Sequence, residues 1–403
     1  RSVMATGLIA GIFLVATAST GIWFGSLVDH HRKQAVIQAS AVASLVCYLV
    51  GLGLYLVVPE SEWRDATSPL LWTFVVVLML GVIAGNLRGI ALPTLVSLLV
   101  PEPVRDRANG LVGTASGVSF LVTSVISGLL VAFDGMRSAL ILTSLITVAS
   151  LVHVGRLEVP EPVVVATEGE EGFGKVDLRG TLRVVRGVPG LLALIIFSCF
   201  NNFLGGTFMA LMDAYGLSLV SVQAWGLLWG VLSAGVIVGG LMVARTGVGA
   251  NPVRTLMLVN IALWTTCIVF PLRSSIVLLA VSMMAFMLVM PYAEASEQTV
   301  LQRVVPFGRQ GRVFGFAQSV EQAASPLTAF LIAPITEFIV IPFMTDGAGA
   351  RLIGPWFGTG PDRGMALVFI ATGVIGLVVT GLALASRPYR RLSAAYQELT
   401  PAP

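Results

Sequence analysis

An all-α membrane protein built from two repeated halves is the fold class this sequence predicts, and three observations predict it. Of 403 residues, 56% are hydrophobic and only 11% charged, where soluble domains carry about 25% charged residues. Apolar stretches recur along the chain, each long enough to cross a bilayer, which takes about 20 residues. The chain also echoes itself. Ser2-Val-Met-Ala-Thr-Gly-Leu-Ile-Ala-Gly11 resembles Ser221-Val-Gln-Ala-Trp-Gly-Leu-Leu-Trp-Gly230, and Val100-Pro101 with Arg107 and Gly110 matches Val305-Pro306 with Arg312 and Gly315.

This composition excludes a soluble enzyme and a disordered protein. The apolar runs are continuous and do not alternate with period two, which excludes a β-barrel. A net charge of +3 and a pI near 8.9 do not point to nucleic acid, because the bases sit in short loops between spans. Cys47, Cys199 and Cys267 are scattered in apolar segments without metal or redox spacing, as small packing residues would be. There is no HExxH, Gly-x-Ser-x-Gly or phosphate loop, and His30, His31 and His153 form no ligand pattern. No enzyme activity, cofactor or metal is expected.

Eleven spans can be read, at 4–26, 36–58, 70–97, 109–133, 136–156, 190–213, 222–244, 254–272, 275–300, 313–343 and 364–386. Between the first two stands a tight polar hinge, Gly25-Ser-Leu-Val-Asp29-His-His-Arg32-Lys33. With this hinge inside, alternation leaves only Arg1, Arg64, Arg137, Arg273, Arg351 and Arg363 outside, Arg88 within a span, and the rest of the 24 bases inside. In the second half the span 190–213 precedes the Ser221 segment, whereas nothing precedes Ser2, and residue 1 is not Met. The repeat therefore predicts a twelve-span architecture whose first helix this chain lacks; the competing reading is eleven spans with an external N-terminus. Four regions follow: an N-terminal bundle over 1–157, a linker over 158–189, a C-terminal bundle over 190–386 and a tail over 387–403. The linker opens with an acidic stretch, Glu158 to Gly174, expected to be mobile. It closes with Lys175, Arg179, Arg183 and Arg186 along one face of a helix, suited to an anionic inner leaflet or, alternatively, to a regulatory partner.

The pattern G-x-L-x-D followed by bases, from Gly25 to Lys33, resembles the loop between helices 2 and 3 of the major facilitator superfamily of transporters. That resemblance implies a fold of two pseudo-symmetric six-helix bundles, of which eleven helices are visible here, and it covers essentially the whole chain. It also implies that Asp29 lies at the N-terminus of the family's helix 11, where backbone N–H groups and the macrodipole favour an anion. Gly25, Asp29, Arg32, Lys33, Arg107 and Arg312 are then gating residues; the bland alternative is a topological stop signal. His30 stands where Arg is common in the family. The counterpart in the second half, Gly239-Gly240-Leu-Met-Val-Ala-Arg245, has no acid, so a one-sided latch is expected.

Arg88 is the one base deep in a span, where a charge needs a cavity or a partner. The repeat maps it next to Glu294, and Glu294 and Glu297 lie one helical turn apart. An ion pair between Arg88 and one of these acids would close a gate; otherwise Arg88 snorkels to headgroups. Gln318-Ser-Val-Glu-Gln-Ala-Ala-Ser-Pro326 looks like the corresponding run in the drug-efflux branch that includes macrolide exporters and transmembrane secretion effectors. Glu294, Glu297 and Glu321 are the candidate proton-coupling acids, although Glu321 could instead brace the loops. Asn86, Asn201, Asn202, Met287, Met290 and Tyr292 are candidates for the substrate cavity, against interhelical packing or lipid-facing filler. Asp213, near the outer surface, is expected to be solvated. The Gly-rich run Gly113 to Gly128 resembles the antiporter motif, with Thr123-Ser124 in place of its Gly-Pro.

The resemblance thus implies a monomeric, multi-pass protein of a bacterial inner membrane with its linker and C-terminus in the cytoplasm. It would export amphipathic small molecules by alternating access, driven by protons, with membrane lipids and no nucleic acid as partners. A lysophospholipid flippase or siderophore exporter of the same fold is the runner-up. From another class come a transporter-derived sensor or scaffold and, remotely, an enzyme acting on lipids.

Overall fold

The computed structural model describes residues 3–65, 68–134, 136–161 and 178–399. Nearly all of them are helical, and no strand occurs among them. The longer helices are α1 (Val3–His30), α2 (Lys33–Val57), α3 (Pro69–Leu99), α4 (Arg105–Asp134), α5 (Met136–Arg156), α6 (Leu178–Gly187), α7 (Leu191–Leu219), α8 (Val222–Thr246), α9 (Pro252–Val269), α10 (Ile276–Val304), α11 (Gln310–Ile335), α12 (Pro361–Ala385) and α13 (Arg387–Glu398). Among the described residues nine helical segments are long and apolar enough to span a membrane. Lys175 and most of the acidic stretch (162–174) lie outside the described residues.

The chain punctuates itself with short caps. Ser68, Ser221, Asn251 and Ser386 each accept, through a side-chain oxygen, an N–H of the first turn of α3, α8, α9 and α13. Each is followed by or close to residues suited to N1, with Pro in α3, α9 and α13. The span expected over 313–343 is not one uniform helix. It runs as α11 to Ile335, then a π-helical turn at Thr336–Val340 and a short helix at Ile341–Thr345. Pro334 and Pro342 supply no N–H to the ladder, and this is where the turn widens.

Residue packing divides the chain into two compact units. The first comprises Arg1–Pro101, Val122–Val184 and Val305–Ser319; the second comprises Glu102–Leu121, Val185–Val304 and Val320–Pro403. Each unit therefore holds a segment from the other half of the sequence: the first unit contains the start of α11 and the second the start of α4. In the first unit α2 packs on α3 through small residues, with Ser40 Oγ donating to the Ala84 carbonyl (2.6 Å) and Ser44 Oγ to that of Gly81 (2.8 Å). The second unit has an aromatic interior in which Tyr215, Phe270 and Phe369 are fully buried. At its edge the buried Arg363 donates to the Pro271 (2.9 Å) and Leu272 (3.1 Å) carbonyls, with its guanidinium 3.9 Å from the Phe357 ring centroid. It closes the C-terminal end of α9, where carbonyls have no intrahelical donor.

Candidate functional site: an acid latch, its mirrored counterpart and an acidic cavity

In the first unit the end of α1 crosses the start of α11 on glycine. A Cβ added at Gly25 would strike the Gly311 carbonyl oxygen, and one at Gly315 would strike the Gly21 carbonyl oxygen. Gly21 and Gly25 on α1 thus face Gly311 and Gly315 on α11, small-xxx-small on both sides, and the backbones touch. This closeness lets the short side chain of Asp29 reach the exposed N–H groups of α11. Its Oδ1 accepts from Gly311 N (2.7 Å) and its Oδ2 from Arg312 N (3.0 Å), with Arg312 Nε 3.3 Å from Oδ2. Burial pushes the Asp29 carboxyl up to about 6, against the lowering pull of the Arg312 and Gly311 N–H groups and of the Arg312 and Lys33 charges. Lys33 is buried, with Nζ 5.3 Å from the Phe307 ring centroid, whereas Arg32 is exposed at the cap of α2.

A carboxylate that the sequence did not single out finishes the hinge. Glu161, just after α5, accepts from the Lys33 N–H (2.6 Å) and the Gln34 N–H (2.8 Å), capping α2 as Asp29 caps α11.

The expected one-sidedness is corrected by the second unit. The offset that aligns Ser2 with Ser221 carries Asp29 onto Val248, and the offset that aligns Arg107 with Arg312 carries Gly311 onto Asp106. Asp106, at the start of α4, accepts from Val248 N (2.9 Å). The same pair of positions is joined in both halves, with the acid moved to the other partner. Gly247 is held at φ +68°, and a Cβ there would meet the Asp106 carboxylate, so only glycine fits. Beside it Asn109 Nδ2 donates to Thr299 Oγ1 and Gln302 Oε1 (both 3.0 Å), and Gln302 Nε2 returns a bond to Asn109 Oδ1 (3.2 Å). Arg107 is exposed, unlike its repeat-mate Arg312. Asp106→Ala leaves the Val248 N–H without its charged acceptor, a loss of about 1.5–3 kcal/mol when such a bond is buried and less at this half-exposed carboxylate. The Val248 amide is expected to exchange several-fold faster with solvent deuterium; unchanged protection would count against this second latch.

The second unit also encloses a cavity of about 490 Å³ between α7, α9, α10 and α11. Three acids line it: Glu294, Glu297 and Glu321. Ser198 Oγ donates to Glu297 Oε1 (2.6 Å), and the Glu321 carboxyl lies within hydrogen-bonding reach of that of Glu297. Asn201 and Asn202 line the cavity too, Asn201 Oδ1 accepting from Trp264 Nε1 (3.1 Å) and Asn202 Nδ2 donating to the Ser198 carbonyl (3.1 Å). Phe208, Trp264, Phe286 and Met290 form apolar wall, and among the described residues no basic side chain lines it. Among the described residues, Glu321 Oε1 and Gln298 Oε1 are buried acceptors with no hydrogen-bond donor.

Other candidates lie elsewhere. Met287 packs against the aromatic interior, as do Met283 and Met284, and Tyr292 bonds to Thr246 Oγ1 (2.8 Å) beside Val243 and Val248. Asn86, in the first unit, donates to Thr17 Oγ1 (3.3 Å). Arg88 is half-buried in α3 and folds back along its own helix, its Nη2 occupying the space that Gly85 leaves open. Asp213 accepts from Trp225 Nε1 (3.0 Å). Sequence reasoning passed over Asp106, Glu161, Asn260 and Trp264. Only Asp106 carried a signal, its place at the start of a repeat-matched helix.

A multi-pass helical membrane protein with an aspartate bonded across to a facing backbone N–H in each unit and an acid-lined internal cavity is, as a class, a membrane transporter. The chain belongs to the Major Facilitator Superfamily, whose family model matches residues 1–329. Solved structures agree on the fold. The proton:xylose symporter XylE is similar with TM-score 0.70 and 12% identity, over 97% of this chain and 89% of that one. The human organic anion transporter MFSD10 (TETRAN) gives 0.67 and 16%, over 96% and 83%. A bacterial homologue of the iron transporter ferroportin, in an outward-facing state, gives 0.67 and 15%, over 96% and 92%. No curated protein matches the chain in sequence.

Proposed function

We propose that this protein is a proton-coupled exporter of amphipathic small molecules, working by alternating access in a bacterial inner membrane with its hinge, linker and C-terminal tail on the cytoplasmic side. The observation that carries the reading is the Glu297–Glu321 carboxyl pair beside Glu294 in a cavity whose other walls are amides, a serine, aromatic rings and aliphatic side chains. Two carboxyl groups within hydrogen-bonding reach are held together by a proton on one of them. With both ionised they repel by about 4 kcal/mol at 4 Å in an effective dielectric of 20. A positively charged or donor-rich molecule entering the cavity relieves that repulsion and takes the proton's place. The unfilled acceptors Glu321 Oε1 and Gln298 Oε1 face such donors, and Phe208, Trp264 and Phe286 suit an apolar body with a cationic end. Substrate and proton then compete for one site, which is antiport. The two bundles, 1–157 and 190–386, are the moving halves, with Asp29 as the latch and Arg88 closing a gate through Glu294 or Glu297.

Substrate-dependent proton flux in proteoliposomes tests the coupling: inward proton movement should follow addition of amphipathic amines. No flux across a broad panel of them would favour a flippase or a scaffold. The gate has its own test. Exchanging the charges, Arg88→Glu with Glu294→Arg, should recover part of the transport that each single change removes. Absence of recovery there and in the Glu297 swap counts against the gate.

A further inference from the structure

In the first unit a cleft of about 220 Å³ opens between α6 and the start of α11. Its polar lining is dominated by three guanidinium groups, those of Arg183, Arg309 and Arg312, and among the described residues no acid lines it. Gly180, Thr181, Val184 and Val313 complete the wall. Arg312 is buried and fixed in place by Asp29, whereas Arg183 and Arg309 are exposed and, among the described residues, have no ion-pair partner. Three like charges drawn around one small space repel one another, and among the described residues Asp29 is the one carboxylate paired with any of them.

The geometry of the ligand follows from that of the donors. A guanidinium presents its N–H groups as a planar fork that matches the oxygens of phosphate or carboxylate two at a time. At about 30 Å³ per water molecule in the liquid, the cleft holds a tetrahedral anion with its first waters. Its position adds a source. α6 turns Thr181 and Val185 inward and leaves Arg179, Arg183 and Arg186 exposed, the pattern of a helix lying on an anionic membrane surface.

We propose that this cleft binds a phosphate ester, supplied by the head group of an anionic phospholipid, which ties α6 to the start of α11 through Arg183, Arg309 and Arg312. The site is independent of which substrate the cavity carries, and its test needs no transport. The purified full chain in detergent is titrated with short-chain phosphatidylglycerol, with phosphatidylcholine as control, following thermal unfolding to obtain an apparent Kd. Phosphatidylglycerol should raise the unfolding temperature and phosphatidylcholine should not. Arg183→Gln with Arg309→Gln should weaken phosphatidylglycerol binding by about tenfold or more, since each removes a charge-assisted contact. Arg312 is left intact for the latch. An unliganded unfolding temperature equal to that of the wild type shows that the double variant folds. Arg179→Gln with Arg186→Gln, on the same helix but outside the cleft, should weaken it much less. An equal loss in both double variants would mean a diffuse surface charge effect and would overturn the site, as would an unchanged Kd in the cleft variant. Inorganic phosphate serves as the second probe. Weak competition against phosphatidylglycerol supports a lipid phosphate, whereas binding that depends on Arg183 and Arg309 for phosphate but not for the lipid overturns the lipid source.

Discussion

Asp29→Asn is expected to slow turnover roughly 30-fold while leaving the fold intact. The size comes from weighing two opposed effects at one carboxyl. In the latched arrangement Asp29 is 6% exposed and releases its proton near pH 6, compared with 3.8 for the free side chain. That difference is about 3 kcal/mol, and it measures how strongly burial works against the ionised form despite the two N–H donors. An ionised Asp29 therefore makes a latch that is held by directed bonds and yet released by the pull of its charge toward water. Asn lacks that charge. It keeps one carbonyl acceptor for two N–H groups, which costs about 1 kcal/mol. The balance, about 2 kcal/mol, favours the latched arrangement. By the usual factor of ten per 1.36 kcal/mol that is about 30-fold in release.

The pH dependence has the same sign. The folded value is raised, so the contribution of Asp29 to the latched arrangement is full below about 3.8 and disappears as pH rises through about 6. Wild-type turnover should climb between about pH 4 and 6 on the latch side, and the Asn variant should lack that step. Turnover in proteoliposomes, with thermal unfolding as the control for folding, decides the matter. Wild-type turnover in the variant would remove the latch; faster turnover would mean that the hydrogen bonds outweigh burial.

Glu297→Gln is expected to abolish proton-driven accumulation, by more than about tenfold, the scale of losing one positioned proton carrier. Substrate exchange without a proton gradient should survive. The amide still accepts from Ser198 Oγ, so the cavity wall is retained while the titratable site beside Glu321 is lost. Counterflow separates the two: exchange with labelled substrate at equal concentrations should stay within a few-fold of wild type. Loss of both activities would make Glu297 a binding or structural group, and retention of both would remove it from coupling.

Much of the fold was legible because bilayer thickness dictates it. A chain that is 56% hydrophobic and broken into spans by Ser, Asn, Pro and Gly has few alternatives, and the helix bounds follow the apolar runs closely. The π-helical turn at Thr336–Val340 was not, because Pro334 and Pro342 fall inside a run whose hydropathy does not change. At the site, Asp29 was legible through its motif and the three glutamates through their rarity in apolar helices. The cavity wall was less so. Met287, Met290 and Tyr292 share a helix, yet Met290 lines the cavity while Met287 and Tyr292 pack into other interiors. Hydropathy does not record which side of a fully apolar helix meets protein, lipid or a cavity.

By itself, then, the sequence determined a membrane protein of repeated helices, the place of its polar hinge and the identity of its buried acids. Those depend on composition and on spacing along the chain, which hydrophobic thickness converts directly into structure. Only the tertiary structure decided what each acid faces. It placed Asp29 on α11 and Asp106 on Val248, mirrored across the repeat, brought Glu297 from α10 against Glu321 from α11, and gathered Arg183, Arg309 and Arg312 around one cleft. Charge interactions act over a few ångströms through space and are indifferent to separation in sequence. Residues more than a hundred positions apart become partners only when the backbones, here crossing on Gly21, Gly25, Gly311 and Gly315, come close enough for short side chains to meet.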